Sequence, residues 1–331
     1  MSDIILYLAG FIGATALIVV GGSRLSRYGD MLADMLGWGK MFMGIMLMAS
    51  VTSLPELMTG ISSVALVDAP DLAVGDIVGS CAFNILIISI MDLFYNPAKP
   101  LTSVAQPGHV IAASLGIVML SIVAVAILMP GVFGHIGWIG GSSILFIILY
   151  FIAIRVLYVY EKRHHVRLTY HQESELTLRD VILRYSFNAV LVIAGAMALP
   201  YFGKHLAAIS GMGQSFFGTL FIAASTSLPE IVVSISAIRL GTIDLAIGNI
   251  FGSNIFNIII LAIDDIFHTK GPILLYTSQN HVIPILGTII ITAIGITGIL
   301  FKSARKWKLA IDSAFILLVY VLMMILLYNV S

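Results

Sequence analysis

Long apolar runs separated by short polar segments make up most of the chain. About 20 apolar residues cross the hydrocarbon core of a bilayer, so we divide the chain into ten candidate membrane spans. They are 4–21, 41–67, 73–95, 108–129, 136–158, 181–202, 215–238, 244–266, 281–301 and 308–328. The first run lacks the basic start and small-residue cleavage site of a signal peptide, and we expect it to remain as a span. The pattern predicts an all-α integral membrane protein with ten transmembrane helices.

The longest polar interruption separates the first five spans from the last five. We therefore predict a first five-helix unit at 1–159, a linker at 160–180 and a second five-helix unit at 181–331. The linker is too short for a folded domain of ordinary size.

Lysine and arginine are distributed unevenly between the two sides of this arrangement. Fifteen of the seventeen basic residues fall on one side, and only Lys204 and Lys270 fall on the other. By the positive-inside rule, we predict a multi-pass protein of the cell membrane with both termini extracytoplasmic and the linker cytoplasmic.

Composition supports the membrane assignment and removes several other classes. The chain is 59% hydrophobic and only 10% charged, whereas a soluble domain carries about a quarter charged residues. Its net charge of zero argues against a nucleic-acid partner. A single cysteine, Cys81, excludes a disulfide framework and a cysteine-based metal cluster. The expected partners are membrane lipid and small ions.

Two short motifs occur once in each half of the chain. The segment 49–56 reads A-S-V-T-S-L-P-E and 223–230 reads A-A-S-T-S-L-P-E, while 79–84 reads G-S-C-A-F-N and 252–257 reads G-S-N-I-F-N. The two matches are offset by 174 and 173 residues. Five spans are an odd number, so the second copy enters the membrane from the opposite side. This predicts two inverted-topology repeats, an architecture typical of secondary transporters.

A glutamate lies inside an apolar span in each copy of the first motif. A comparable charge at the centre of a membrane helix costs about 2.5–3.5 kcal/mol, and no Lys or Arg occurs in the motif spans near Glu56 or Glu230. A cation from solution or a proton must therefore compensate the charge. Two hydroxyl residues, three and four positions earlier, share the face of each glutamate. They are Thr52, Ser53, Thr226 and Ser227.

Proline precedes each glutamate and removes a backbone donor from the helix. We expect Pro55 and Pro229 to disrupt the helix around the residues four positions earlier, Val51 and Ser225, and thereby to free carbonyl groups near Ala49 and Ala223 for ion binding. Carboxylate, hydroxyl and carbonyl oxygens together suit hard cations such as Na⁺ and Ca²⁺.

The second motif continues a polar stripe at intervals of four residues. The stripes are Asp76, Ser80 and Asn84 in the third span, and Asn249, Ser253 and Asn257 in the eighth. Gly79 and Gly252 are expected to let helices approach closely.

Four aspartates have no settled role at this level. Asp76 is either a vestibule ligand or a helix-start residue. Asp92, Asp264 and Asp265 lie near span ends, where an interfacial role is favoured.

The duplicated T-S-L-P-E and G-S-x-x-x-N motifs resemble those of the sodium/calcium exchanger membrane-domain family, and the resemblance extends over the whole chain. It implies a core of spans 2–5 and 7–10 that holds the ions, with spans 1 and 6 moving past it. It also implies a chain of prokaryotic type, without cytoplasmic regulatory domains.

By this resemblance the ions are bound by the carboxylates of Glu56 and Glu230. The other implied ligands are Thr52, Thr226, Ser53, Ser227, Ser80, Ser253, Asn84, Asn257, Ala49 and Ala223. The chain departs from the family at three positions. Asn257 stands where many exchangers have aspartate, Cys81 replaces a common asparagine, and Asp76 replaces another.

These features predict a Na⁺/Ca²⁺ antiporter that works by alternating access, with no cofactor beyond the transported ions. A Ca²⁺/H⁺ antiporter on the same fold is the alternative, and a passive channel also stays open. An enzyme is disfavoured, because the sequence has no H-E-x-x-H motif and residues 73–76 lack the first glycine of G-x-G-D.

Overall fold

A computed structural model describes residues 2–35, 49–95, 99–106, 108–164, 176–239, 241, 243–301 and 309–331. Nearly all of this chain is helical. The helices are α1 Ser2–Met35, α2 Ala49–Thr52, α3 Leu54–Ala65, α4 Pro70–Phe94, α5 Gly108–Leu128, α6 Gly141–His164, α7 Leu178–Ser210, α8 Gln214–Thr226, α9 Leu228–Arg239, α10 Ile243–Phe267, α11 Val282–Phe301 and α12 Ile311–Val330. Short 3₁₀ turns lie at Thr102–Val104, Ile273–Leu275 and Gln279–His281, and a two-residue hairpin pairs His135–Ile136 with Ile139–Gly140.

Eight of the described helices are long and apolar enough to cross a membrane, and a ninth span results if the bent pair α8–α9 is one span. These nine correspond to nine of the ten predicted spans. The remaining prediction, 41–67, begins outside the described residues, which contain its later part as α2 and α3. The structure thus supports an all-helical integral membrane protein.

Helices α1 and α7 are longer than the predicted spans 4–21 and 181–202. They contain 34 and 33 residues, and a helix of that length extends about 50 Å, well beyond a hydrocarbon core of about 30 Å. The two helices pack against each other at glycines. Gly21 contacts Val192, and Gly195 contacts Ala14 and Ile18. Small residues in this position let helix backbones approach within the membrane.

Helices α4 and α10 form the centre of the molecule. In their most apolar segments 78% and 83% of the residues are buried, against 22% in α1 and 28% in α7. α1 and α7 therefore lie at the periphery, and α4 and α10, which carry the second motif, lie in the core.

Two pairs of a buried histidine and a partly exposed aspartate join the first half of the chain to the second. Asp71 at the start of α4 lies 3.0 Å from Nε2 of His281, and Asp244 at the start of α10 lies 3.0 Å from Nε2 of His109. Each aspartate also accepts a backbone N–H from the same segment as its histidine, at 2.7 Å from Ser278 and 3.0 Å from Gln106. The two halves therefore use equivalent residues to hold each other.

Asp92 and Asp265 occupy equivalent positions near the ends of α4 and α10, and both organise loops. Asp92 accepts the N–H groups of Leu101 and Ala310 at 2.9 Å each. Asp265 accepts the N–H of Gly140 at 2.7 Å and that of Ile273 at 2.6 Å, and the hydroxyl of Ser143 at 2.6 Å. Since these side chains are 1% exposed, their charges depend on these donors.

Gly79 allows α4 to cross α8 with the two backbones in contact. A Cβ at this position would collide with the carbonyl oxygen of Thr219 and lie 2.7 Å from Cβ of Ala223. One turn earlier, Gly75 faces Gly218, with 3.1 Å between a Cβ built there and the Cα of Gly218. The predicted close approach at Gly79 is confirmed.

We expect Gly79→Ala to destabilise the protein by about 1–3 kcal/mol, because the added methyl group must displace backbone atoms rather than a flexible side chain. Gly116→Ala is the matched control, since nothing lies within 4 Å of a Cβ at that position of α5. Melting temperatures of the purified proteins in detergent provide the measurement. Equal melting temperatures for the two variants would contradict the predicted contact.

Candidate functional site

Both copies of the first motif break their helix at the serine before the Leu-Pro-Glu sequence. Ser53 separates α2 from α3 with φ −87° and ψ 12°, and Ser227 separates α8 from α9 with φ −88° and ψ 6°. The second break bends the helix axis by 45°. The same tripeptide therefore produces the same backbone conformation in both halves.

The carbonyl group of Ala223 keeps its helical partner at this break. It accepts the N–H of Ser227 at 3.0 Å and the hydroxyl of Thr226 at 3.1 Å. Pro229 therefore does not free the Ala223 carbonyl from its backbone hydrogen bond, and this expectation is wrong. The reason is that a missing proline N–H affects the carbonyl four residues earlier, which belongs to Ser225. Ala49 belongs to α2, and the structure describes only its backbone.

Glu56 contacts hydroxyl groups from the opposite half of the chain. The Ser227 hydroxyl lies 3.0 Å from Oε1 of Glu56, to which it donates, and 3.0 Å from Oγ of Ser80. Thr226 donates to Oδ1 of Asp76 at 2.8 Å, and its hydroxyl lies 3.4 Å from that of Ser80. All five side chains have no solvent exposure. Asp76 therefore belongs to the central cluster. It is not a helix-start residue, since α4 begins at Pro70.

The equivalent residues of the other half make a looser set of contacts around Thr52. Its hydroxyl lies 3.4 Å from Oδ1 of Asn249 and 3.5 Å from Oγ of Ser253. Glu230 and Ser53 are fully buried, and neither oxygen of the Glu230 carboxylate nor the Ser53 hydroxyl has a hydrogen-bond partner among the described residues. The Thr52 hydroxyl stabilises the Glu230 carboxylate, but no donor among the described residues lies as close to it as Ser227 lies to Glu56.

Asparagines from α4 and α10 lie between the two clusters. Nδ2 of Asn84 donates to Oδ1 of Asn254 at 2.9 Å, and Nδ2 of Asn254 donates to the carbonyl of Cys81 at 3.1 Å. Asn257 is fully buried, and its amide group has no partner in the described part of the chain. Asn254 takes the position equivalent to Cys81, and its role in linking the two central helices was not predicted.

Seven buried oxygen atoms in this region have no hydrogen-bond donor among the described residues. They are Ser53 Oγ, Glu56 Oε2, Asp76 Oδ2, Asn84 Oδ1, Glu230 Oε1, Glu230 Oε2 and Asn257 Oδ1. Two amide nitrogens, Asn249 Nδ2 and Asn257 Nδ2, are also without a partner there. Buried polar atoms are normally paired, so such a concentration indicates a ligand, and oxygen is the ligand atom that Na⁺ and Ca²⁺ prefer.

Three carboxyl groups repel one another in this cluster. Glu56, Glu230 and Asp76 are close enough to interact electrostatically. None of them forms an ion pair with Lys or Arg within the described ranges. Those ranges also contain no group of three or more His, Cys, Asp and Glu side chains placed to hold a metal by themselves. Hydroxyl, amide and carbonyl oxygens are therefore needed to complete the coordination of an ion.

Comparison with known proteins relates the chain to membrane exchangers. Residues 6–159 and 185–329 match the profile of the sodium/calcium exchanger protein family. The inner membrane protein YrbG of Escherichia coli (strain K12) is 29% identical over 264 residues, which are 75% of this chain and 78% of that protein. The putative antiporter CaxA of Alkalimonas amylolytica is 28% identical over 254 residues, 73% of this chain and 75% of its own.

The fold is similar to that of a solved exchanger. The sodium-calcium exchanger NCX_Mj superposes with a TM-score of 0.63, and the match covers 96% of this chain and 98% of that one. The sequence identity is 19%, so this similarity concerns the fold. It agrees with the helical membrane architecture described above.

We expect Asp76→Asn to weaken cation binding while the protein still folds. The asparagine oxygen can accept the Thr226 hydroxyl in place of Oδ1, so the principal contact is kept and one negative charge is removed. Loss of that charge should lower Ca²⁺ affinity by about tenfold or more, equivalent to about 1.4 kcal/mol. The measurement is the rise in melting temperature with Ca²⁺ concentration. An unchanged Ca²⁺ dependence would place Asp76 outside the ion site.

Proposed function

The chain belongs to the sodium/calcium exchanger protein family, and from this premise we propose that it exchanges Na⁺ for Ca²⁺ across the membrane by alternating access. The observation that carries the proposal is the set of unpartnered buried oxygens around Glu56, Glu230 and Asp76. A core with this much negative charge and no basic partner in its described part is stable only when cations or protons occupy it.

The proposed ligands are those named from the sequence, with Asp76 added. The carboxylates of Glu56 and Glu230 would supply the charge for Ca²⁺, with help from the backbone oxygens of Thr52 and Thr226. The flanking Na⁺ sites would be formed by Ser53, Ser227, Ser80 and Ser253. Asn84 and Asn257 would line the centre, with the carbonyl of Ala49 at one flank. The Ala223 carbonyl is left out, because it keeps its helical partner. Sites of 6–8 oxygens are typical of Ca²⁺.

Alternating access follows from the closed state of the site. Every side chain of the cluster is buried, so an ion can enter or leave only after helices move. The broken helices α2–α3 and α8–α9 and the peripheral pair α1–α7 are the elements proposed to move. Gly22 of α1 packs against Pro229, which links the peripheral pair to one of the breaks.

We also propose that the chain forms ten spans as two inverted repeats. The matching helix breaks at Ser53 and Ser227 support this, because unrelated halves would not share φ and ψ at one motif position. The reciprocal Asp71–His281 and Asp244–His109 pairs support it further. In this arrangement the site lies at the interface of the repeats, near the middle of the membrane.

Exchange requires that Na⁺ and Ca²⁺ compete for the same carboxylates. If the empty, negatively charged site cannot reorient, one load must be bound before the other is carried back. Structures of the similar protein NCX_Mj were obtained after soaking with Na⁺ and Sr²⁺, and CaxA carries the name putative antiporter. These names support ion exchange and leave the coupling ion, Na⁺ or H⁺, to experiment.

Uptake of ⁴⁵Ca²⁺ into proteoliposomes tests the coupling directly. We expect an outward Na⁺ gradient at fixed pH to drive uptake, and an outward H⁺ gradient without Na⁺ to leave it at the background of empty liposomes. Glu56→Gln and Glu230→Gln should each lower the Na⁺-driven rate by at least about tenfold, because each removes a charged ligand.

The two gradients separate the alternatives. Uptake driven by the H⁺ gradient alone would replace the proposal by a Ca²⁺/H⁺ antiporter. Uptake that follows the Ca²⁺ gradient without either counter-ion would indicate a channel. Near-normal rates in either glutamine variant would remove that glutamate from the site.

The orientation is tested by labelling a cysteine introduced at Gln172, in the linker outside the described residues. In a Cys81→Ser background we expect an impermeant thiol reagent to label this site in inverted vesicles and not in intact cells. The expectation rests on the excess of basic residues on the linker side. Labelling of intact cells would reverse the predicted orientation.

A further inference from the structure

Asp264 on α10 is a buried carboxylate that the proposed ion site does not include. Its side chain has no solvent exposure, and neither carboxylate oxygen has a hydrogen-bond partner in the described part of the chain. Its neighbour Asp265 receives three hydrogen bonds from loop and helix groups. Two adjacent aspartates therefore have different environments, and only Asp265 fits the interfacial role predicted for both.

The Asp264 carboxylate lies against Gly60 of α3. A Cβ at Gly60 would collide with both carboxylate oxygens, so the glycine provides the space that the carboxylate fills. Gly60 is four residues after Glu56, and residues four apart share one face of a helix. Asp264 is seven residues after Asn257, which is also a same-face spacing. The carboxylate thus lies one helical turn from the central site.

A second unpartnered oxygen lies on the same face of α3. Ser63, three residues after Gly60, is fully buried, and its hydroxyl has no partner among the described residues. Glu56 Oε2, Asp264 and Ser63 Oγ therefore form a row of buried oxygens without donors. This row leads from the centre towards the end of α3 at Ala65.

The other half of the chain lacks this carboxylate. At the repeat offsets of 173 and 174, Met91 is equivalent to Asp264 and Ser234 to Gly60. The position is therefore not part of the scaffold that the two halves share, in contrast to Asp92 and Asp265. An isolated carboxylate inside an apolar helical core destabilises the fold, which indicates that Asp264 has a function outside the structure shared by the two halves.

The carboxyl groups that act on Asp264 are Asp265 on its own helix and Asp76 on α4. The buried His268, four residues after Asp264 on α10, has its Nδ1 at 2.7 Å from the carbonyl oxygen of Gly271 and makes no hydrogen bond to the carboxylate. At the same end of the molecule, the exposed residues Asp68 and Lys270 form an ion pair at 2.6 Å. Lys270 holds the pKa of Asp68 below its usual range. The described chain thus offers Asp264 no basic partner.

We propose that Asp264, Gly60 and Ser63 form a station for one monovalent cation, Na⁺ or H⁺, on the route between the central site and the membrane face near residues 66–69. One carboxylate balances one positive charge, which is why a monovalent ion fits and Ca²⁺ does not. The station rests on the proposed exchange function, and by the predicted orientation it lies on the extracytoplasmic side.

The test is Na⁺-driven ⁴⁵Ca²⁺ uptake by Asp264→Asn, measured over a range of Na⁺ concentrations at several pH values. If the station takes Na⁺, the half-maximal Na⁺ concentration rises by about fivefold or more at every pH. If it takes H⁺, we expect acid pH to inhibit the wild type and not the variant, while the half-maximal Na⁺ concentration at alkaline pH is the same for both. Superimposable Na⁺ and pH profiles overturn the proposal.

Gly60→Ala provides an independent variant, because it displaces the carboxylate without changing any charge. It should reproduce the effect of Asp264→Asn, and it keeps the test valid if the asparagine variant does not fold. Gly116→Ala, with open space around its added methyl group, is the control and should keep the wild-type Na⁺ and pH dependence. Wild-type ⁴⁵Ca²⁺ uptake that does not depend on Na⁺ would instead refute the proposed Na⁺/Ca²⁺ exchange itself.

Discussion

The structure depends on holding several carboxyl groups inside an apolar helical core without basic partners in its described part. Glu56, Glu230 and Asp76 are all fully buried and repel one another. A folded state with these groups ionised and uncompensated would be lost to the cost of desolvation. The fold therefore requires ions or protons at its centre, and binding and stability are linked. Transport follows when the ions that satisfy this requirement can be exchanged.

Duplication explains how a short sequence builds such a site. Each half contributes a helix broken at serine and a straight central helix, and the hydroxyls of one half face the polar groups of the other. Ser227 meets Glu56, and Thr226 meets Asp76 across the interface. Because the polar groups of the site come from both halves, a relative movement of the halves would change the distances between them. The Asp–His pairs also join the two halves at the first turns of the central helices.

Part of this architecture could be predicted from the sequence, because it follows from local patterns. Apolar runs predicted nine of the spans now seen as helices, and the position of Glu56 and Glu230 within them predicted buried charge. The roles of four aspartates could not be predicted, since they depend on contacts between segments that are distant in the sequence. These are Asp76, Asp92, Asp264 and Asp265. Asp92 and Asp265 bind N–H groups of loops, whereas Asp76 meets Thr226. The Ala223 carbonyl was mispredicted, because the position of the break within the helix turn decides which backbone bond is lost.

The two halves are not equal in charge, and this inequality bears on how ions leave the site. The family resemblance implies an acidic group at position 257, where this chain has asparagine, while Asp76 brings a carboxylate to α4. Asp264 adds a further carboxylate on one side of the centre only, because the equivalent residue of the other half is Met91. A cation that moves from Glu56 towards Asp264 stays near negative charge, whereas the equivalent route beyond Glu230 offers the neutral Ser234. On the proposed route, release to the two sides of the membrane would therefore meet different electrostatic barriers.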